Sequence, residues 1–156
     1  MVASEARERL HRIYQYIPHR PPFLWVDAII DLNDHAIEAE KYIPEDLSLF
    51  AGHYPDYPIL PGVLLCEAVF QTGAILIGER ISREQPGDNE FPRLCLPVLT
   101  RIYKAKFKQQ VLPGTTIRMM VEVKEIVGRA WVLVGKVVAK GKVALQVEFS
   151  CMLAEQ

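Results

Sequence analysis

The stretch Phe50–Gln71, FAGHYPDYPILPGVLLCEAVFQ, decides how the rest of this chain folds. Its first half excludes a regular helix or strand. Pro55, Pro58 and Pro61 recur at every third position, and each fixes φ and removes an amide donor. An extended, stiff segment is expected there. Pro61 and Gly62 then open an apolar run from Val63 to Ile77, and proline suits a first helical turn, whose amides have no intrahelical partner in any case. The run predicts a long buried helix. Its one charged side chain is Glu67, and its one long polar side chain, Gln71, follows a turn later on the same face. Burying a carboxylate is costly unless it is paired or neutralised, so Glu67 is expected to hold a raised pKa or to point into a polar cleft. His53 lies 14 residues earlier, in the stiff segment that leads into the helix. A base and an acid can therefore converge near the helix start.

Outward from this stretch, the composition bounds the class. At 156 residues, 50% hydrophobic and 24% charged, the chain suits one domain with a sizeable core. A net charge of -1 and a pI near 6.4 argue against a general nucleic-acid binder. No apolar segment runs uninterrupted for about 18 residues, so no membrane span is expected. The first ten residues contain Glu5, Arg7, Glu8 and Arg9, unlike a secretory signal, which points to the cytoplasm. Cys66, Cys95 and Cys151 are widely spaced and read as reduced core thiols.

Upstream, Ser4 can cap a short amphipathic helix over Glu5–Tyr16, ended by Pro18, Pro21 and Pro22. Phe23–Leu32 reads as a first strand, Asn33-Asp34-His35 as a turn and Ala36–Ile43 as a second strand. Downstream, the polar segment Arg80–Arg93 reads as a long loop. Period-two patterns then predict strands over Val98–Lys108, Thr116–Val127, Ala130–Lys140 and Val143–Leu153, the last three as an antiparallel meander. The class is α+β. An apolar helix of this length must be wrapped by a curved sheet to be hidden on most sides.

Gly52-His53-Tyr54-Pro55, Pro58, Pro61-Gly62-Val63-Leu64 and Glu67-Ala68 to Gln71 resemble the active-site segment of the FabZ-type 3-hydroxyacyl-acyl carrier protein dehydratases, which have the hotdog fold. Further matches are Ile17-Pro18-His19-Arg20, Pro22-Phe23-Leu24 and Val26-Asp27 upstream, and Ala105-Lys106-Phe107 and Val111-Leu112-Pro113-Gly114 downstream. The resemblance implies loss of water from a (3R)-3-hydroxyacyl thioester on acyl carrier protein to give the trans-2-enoyl product. Such chemistry needs a base for the proton next to the carbonyl, an acid for the departing hydroxyl, and no metal or organic cofactor. His53 suits the base, since the ordinary imidazole pKa leaves it neutral at neutral pH. Glu67 suits the acid if its apolar helix keeps it protonated. Amides at Gly62 and Val63 can polarise the thioester oxygen. Tyr54 is expected to pack beside His53, and Gln71 to support Glu67. The resemblance also implies that base and acid come from different subunits of a homodimer, often assembled as a hexamer, a trimer of dimers.

Departures from the family pattern concern the acyl pocket. Pro21 stands where Tyr is usual, Tyr54 where Phe is usual, Pro97-Val98-Leu99 where aromatics commonly line the tunnel, and Tyr103 where an acid is common. An unusual chain preference is the expectation. Arg101, Lys104, Lys106 and Lys108 occur without an intervening acid, the three lysines on one strand face. They read either as a solvated face or as a dock for the acidic carrier. Two rival functions stay open: a hotdog acyl thioesterase, told apart by a free-acid product, and a non-catalytic acyl-carrier or lipid-binding module, told apart by binding without turnover. A combined dehydratase and isomerase is disfavoured by Glu rather than Asp at 67.

Overall fold

The computed structural model describes residues 2–84 and 95–155. Helix α1 (Val2–Tyr14) is followed by strands β1 (Ala28–Leu32) and β2 (Ala36–Tyr42), a 3-10 turn at Ser48–Ala51, and the long helix α2 (Gly62–Glu84). Four strands complete the chain: β3 (Cys95–Phe107), β4 (Thr116–Val127), β5 (Ala130–Ala139) and β6 (Lys142–Glu155). They form one six-stranded sheet in the order β1-β2-β4-β5-β6-β3, and every pairing is antiparallel. This is the hotdog arrangement, with α2 laid against the sheet.

Alternation along the strands determines which side chains meet the helix. Ile37 and Ala39, Ile117, Met119 and Val121, Leu133 and Val137, and Leu145, Val147 and Phe149 are buried with Leu65, Val69, Ile75, Leu76 and Ile77 of α2. Irregular register in β1, β3, β4 and between β5 and β6 lets the sheet curve around the helix. At Gly135 of β5 a Cβ would collide with Val69 Cγ1, so a glycine there allows strand and helix their closest approach. By length and composition α2 could cross a membrane, at mean hydropathy 1.4, but 72% of its most apolar window is buried inside the protein. It is the core helix.

Three expected elements take a different form. Helix α2 continues to Glu84 through the first part of the polar segment expected as a loop, because Ile81 still packs on the core and the turn is laced by i,i+4 pairs between Glu79 and Arg83 and between Arg80 and Glu84. Pro86-Gly87-Asp88-Asn89 lie outside the described residues. Phe23–Asp27 is not strand, although Leu24, Trp25 and Val26 are buried. Finally, the proline-rich segment is folded back rather than extended. Tyr54 and Tyr57 exchange backbone hydrogen bonds of 3.2 and 3.0 Å, and the Ile59 amide returns to the His53 carbonyl at 3.2 Å.

Candidate active site

That fold-back fixes the His53 imidazole. Because Ile59 comes back beside His53, its carbonyl oxygen lies 2.9 Å from His53 Nδ1. A carbonyl only accepts, so Nδ1 carries a proton, and in the neutral ring the lone pair is on Nε2. The Tyr54 ring stacks on the imidazole at 4.2 Å and 23°, holding its plane. The peptide between these two residues is cis. His53 lines a cavity of about 510 Å³ with Ile59, Leu60, Gly62, Val63, Phe107 and Lys108. Leu60 N donates to Val111 O at 2.8 Å, tying the loop to the segment after β3.

Gly62 and Val63 open α2 at the floor of this cavity. The amide of Leu64 bonds back to Pro61 O at 2.9 Å, and the two amides ahead of it lie in the first turn, where a helix offers no acceptor. Val63 is 70% exposed, so the helix end is open to a ligand. A Cβ on Gly62 would stand 2.8 Å from the Phe107 ring, which explains the glycine: the aromatic wall packs on its backbone.

Glu67 sits in a second cavity, of about 280 Å³, with Pro18, His19, Phe70, Ala74, Leu96–Leu99 and Cys151. Its side chain is 23% exposed. The cleft is not the polar one expected, since its walls are mostly apolar, and the polar groups beside the carboxyl are His19 and Gln71. Gln71, only 1% exposed, is the hub. Its Oε1 accepts from Trp25 N at 2.8 Å, and its Nε2 donates to Phe23 O and to Glu67 Oε1, each at 2.8 Å. The backbone partners fix which end of the amide is which, and the carboxyl is thereby oriented through Oε1, Oε2 having no hydrogen-bond partner among the described residues. Replacing Gln71 by Leu is expected to strand the Trp25 amide and the Phe23 carbonyl, lowering stability by about 2–4 kcal/mol. A urea titration with a lower midpoint and an unchanged slope would report it; an unchanged midpoint would refute the hub.

His53 and Glu67 line different cavities, and neither cavity wall includes the other residue. A family model described as a FabA-like domain matches residues 17–148. The 3-hydroxyacyl-acyl-carrier-protein dehydratase FabZ of Campylobacter hominis is 33% identical over 148 residues, covering 94% of this chain and 98% of that one. The chain belongs to the FabZ dehydratase family. The FabZ of Clostridium perfringens is 39% identical over 119 residues, which is 76% of this chain and 79% of that one. Among solved structures, the dehydratase heterocomplex ApeI:P from Xenorhabdus doucetiae matches with a TM-score of 0.75 at 16% identity, over 92% of this chain and 91% of that one. A hypothetical thioesterase with coenzyme A from Streptococcus pneumoniae matches at 0.62 and 10% identity, over 82% and 85% of the two chains. At such identities the likeness is one of fold.

Two parts of this FabZ-type site differ from the sequence expectation. The basic stripe divides: Lys104 and Lys106 stand opposite Glu148 and Gln146 on the outer face of the sheet, in a depression shared with Glu122 and Lys136, whereas Lys108 follows the end of β3 and lines the His53 cavity. Arg101 lies apart again, with its guanidinium 5.5 Å from the centre of the Tyr103 ring. The lysines are clear of acids in sequence but not across strands. The second difference is His19, whose Nε2 lies 3.9 Å from Glu67 Oε1. In the sequence its only signal is its place in the family-matching run Ile17-Pro18-His19-Arg20, which assigns it no role. Burial holds its imidazole below the ordinary histidine range, with Glu67 opposing and Arg20 adding to the shift. Burial, and after it the Glu67 charge, push the neighbouring Cys151 thiol up to about 12, so it is an inert wall.

Proposed function

We propose that this chain removes water from a 3-hydroxyacyl thioester borne by acyl carrier protein, at sites each shared by two copies of the chain, in the cytoplasm. His53 Nε2 takes the proton from the carbon beside the thioester carbonyl. The electrons of that bond form the new double bond, the carbon–oxygen bond at position 3 breaks, and Glu67 Oε2 gives its proton to the departing hydroxyl, releasing water. As negative charge gathers on the thioester oxygen, the Gly62 and Val63 amides and the helix dipole stabilise it. Tyr54 keeps the imidazole in plane, and Gln71 keeps the carboxyl aimed. The walls formed by Pro97, Val98 and Leu99 give the acyl chain its fit.

The observation that carries this reading is the placement of the two half-sites along β3. This edge strand is exposed on both faces from Val98 onward, including Ile102, Tyr103 and Phe107. Leu96–Leu99 at one end line the Glu67 cavity, while Phe107 at the other lines the His53 cavity. Antiparallel pairing of β3 with β3 of a second copy, on a two-fold axis near Ile102, sets Phe107 of one copy beside Pro97 and Val98 of the other. Base and acid then face each other across the pairing. A dimer completes the chemistry; a hexamer of three dimers adds nothing that the reaction requires. Docking of the acidic carrier falls to Arg101, Lys104 and Lys106 outside the site and Lys108 at its mouth.

Mass spectrometry of 3-hydroxyacyl-loaded carrier tests the reading. Wild type is expected to shift the loaded carrier by the mass of one water in either direction, and His53→Ala and Glu67→Gln to slow this by a factor of about 100 or more while staying folded. Release of free acid would favour the thioesterase instead, and binding with no mass change on any acyl chain would favour a binding module.

A further inference from the structure

The cavity beside Glu67 holds a second imidazole that the reaction above leaves unused. His19 is held there by its neighbours. Arg20 donates to Ile17 O at 3.0 Å and to His19 O at 2.8 Å, and its guanidinium lies 3.7 Å above the Tyr14 ring. The imidazole stacks with Phe23 at 6.4 Å and 26°, and the Phe23 carbonyl takes one amide hydrogen of Gln71. One short segment therefore fixes both side chains that approach the carboxyl.

The ring nitrogens are not equivalent. Nδ1 is buried without a hydrogen-bond partner among the described residues, while Nε2 faces Glu67 Oε1 at 3.9 Å. A proton on Nδ1 strands a buried donor, and protonating both nitrogens strands the same donor and adds buried charge. A proton on Nε2 alone leaves only an unmet acceptor, the lesser cost. The charged groups that act on the ring are Glu67 from α2 and Arg20 from its own segment, and the Cys151 thiol of β6 lines the same cavity.

We propose that His19 is a positioning residue for the acid: neutral, with its proton on Nε2, it joins Gln71 in directing a hydrogen at Glu67 Oε1, so that Oε2 is the oxygen that delivers the proton. This rests on the dehydratase reading of the site. The 3.9 Å separation is longer than a direct hydrogen bond, so the proposal requires the two atoms to draw together when substrate is bound.

Two measurements on the full chain decide it. Nitrogen NMR of the imidazoles is expected to show His19 neutral with its proton on Nε2, its resonances moving in Glu67→Gln; a proton on Nδ1, or resonances indifferent to Glu67→Gln, would overturn the proposal. In hydration of a crotonyl-type carrier substrate, His19→Leu is expected to lower kcat about tenfold with KM within about twofold, and His19→Gln, which keeps an N–H donor, to recover most of the loss. Wild-type rates in His19→Leu, or equal losses in both variants with equally lowered unfolding midpoints, would overturn it and leave a merely structural histidine. If wild type exchanges no water, the dehydratase reading fails by itself, and the NMR tautomer still decides whether His19 addresses Glu67.

Discussion

Mixing His53→Ala and Glu67→Gln in equal amounts, with time for subunits to exchange, should restore about a quarter of the wild-type rate from two preparations that are each inactive. The figure follows from counting. Random pairing makes about half of the dimers mixed, and each mixed dimer holds one site with both native residues and one with neither. The prediction separates a shared site from a site within one chain, because self-contained sites give two dead proteins and a dead mixture. It draws on one observation, that His53 and Glu67 line separate cavities near opposite ends of β3. The assay is hydration of a carrier-borne enoyl group before and after mixing, with the oligomeric state followed by light scattering. A mixture that stays inactive although mixed dimers are present would sink the shared site.

The second large effect concerns the strand itself. Ile102 is 47% exposed in the single chain and lies near the axis on which two β3 strands would meet. Ile102→Glu places two like charges against each other at that axis, in a setting with little water to screen them. The expected result is a monomer with activity lowered by a factor of about 100 or more and with little change in secondary structure. Sedimentation read together with turnover checks it. Full activity in a monomer would show that one chain suffices. Ile102→Val, which keeps the apolar surface, should remain dimeric and active.

Much of this was legible in the sequence, and the exceptions have physical causes. The α2 core was readable because fifteen residues from Val63 to Ile77 carry one charge, and few soluble environments besides a wrapped helix accommodate that. Strands β4, β5 and β6 followed from period-two alternation between Gly-containing turns, and the structure places them as expected. The failure at Phe23–Asp27 is instructive. Leu24, Trp25 and Val26 are apolar because they pack on the core, yet the Phe23 carbonyl and the Trp25 amide bond to the Gln71 side chain instead of to a neighbouring strand. Burial was visible in composition; the partner of the backbone was not. The same holds for the fold-back after His53, where three prolines exclude regular structure without saying whether the segment is straight or closed. The basic stripe divides because β3 ends at Phe107: Lys104 and Lys106 pair with β6 in continuous register, whereas Lys108 lies beyond the strand, and alternation counted along the sequence does not show where a strand stops.

The exposed edge of β3 has a consequence for the chain before it finds its partner. A long unpaired strand carrying Val98, Leu99, Ile102, Tyr103 and Phe107 is a template for indiscriminate strand addition, and a freshly made copy passes through that state. Arg101, Lys104 and Lys106 punctuate the same strand, and positive charge on an edge repels every stacking in which like residues fall beside one another. Antiparallel pairing about a central axis offsets these charges, whereas in-register parallel stacking aligns them. In the proposed β3–β3 dimer the basic residues would act as gatekeepers, favouring the offset antiparallel pairing over aggregates.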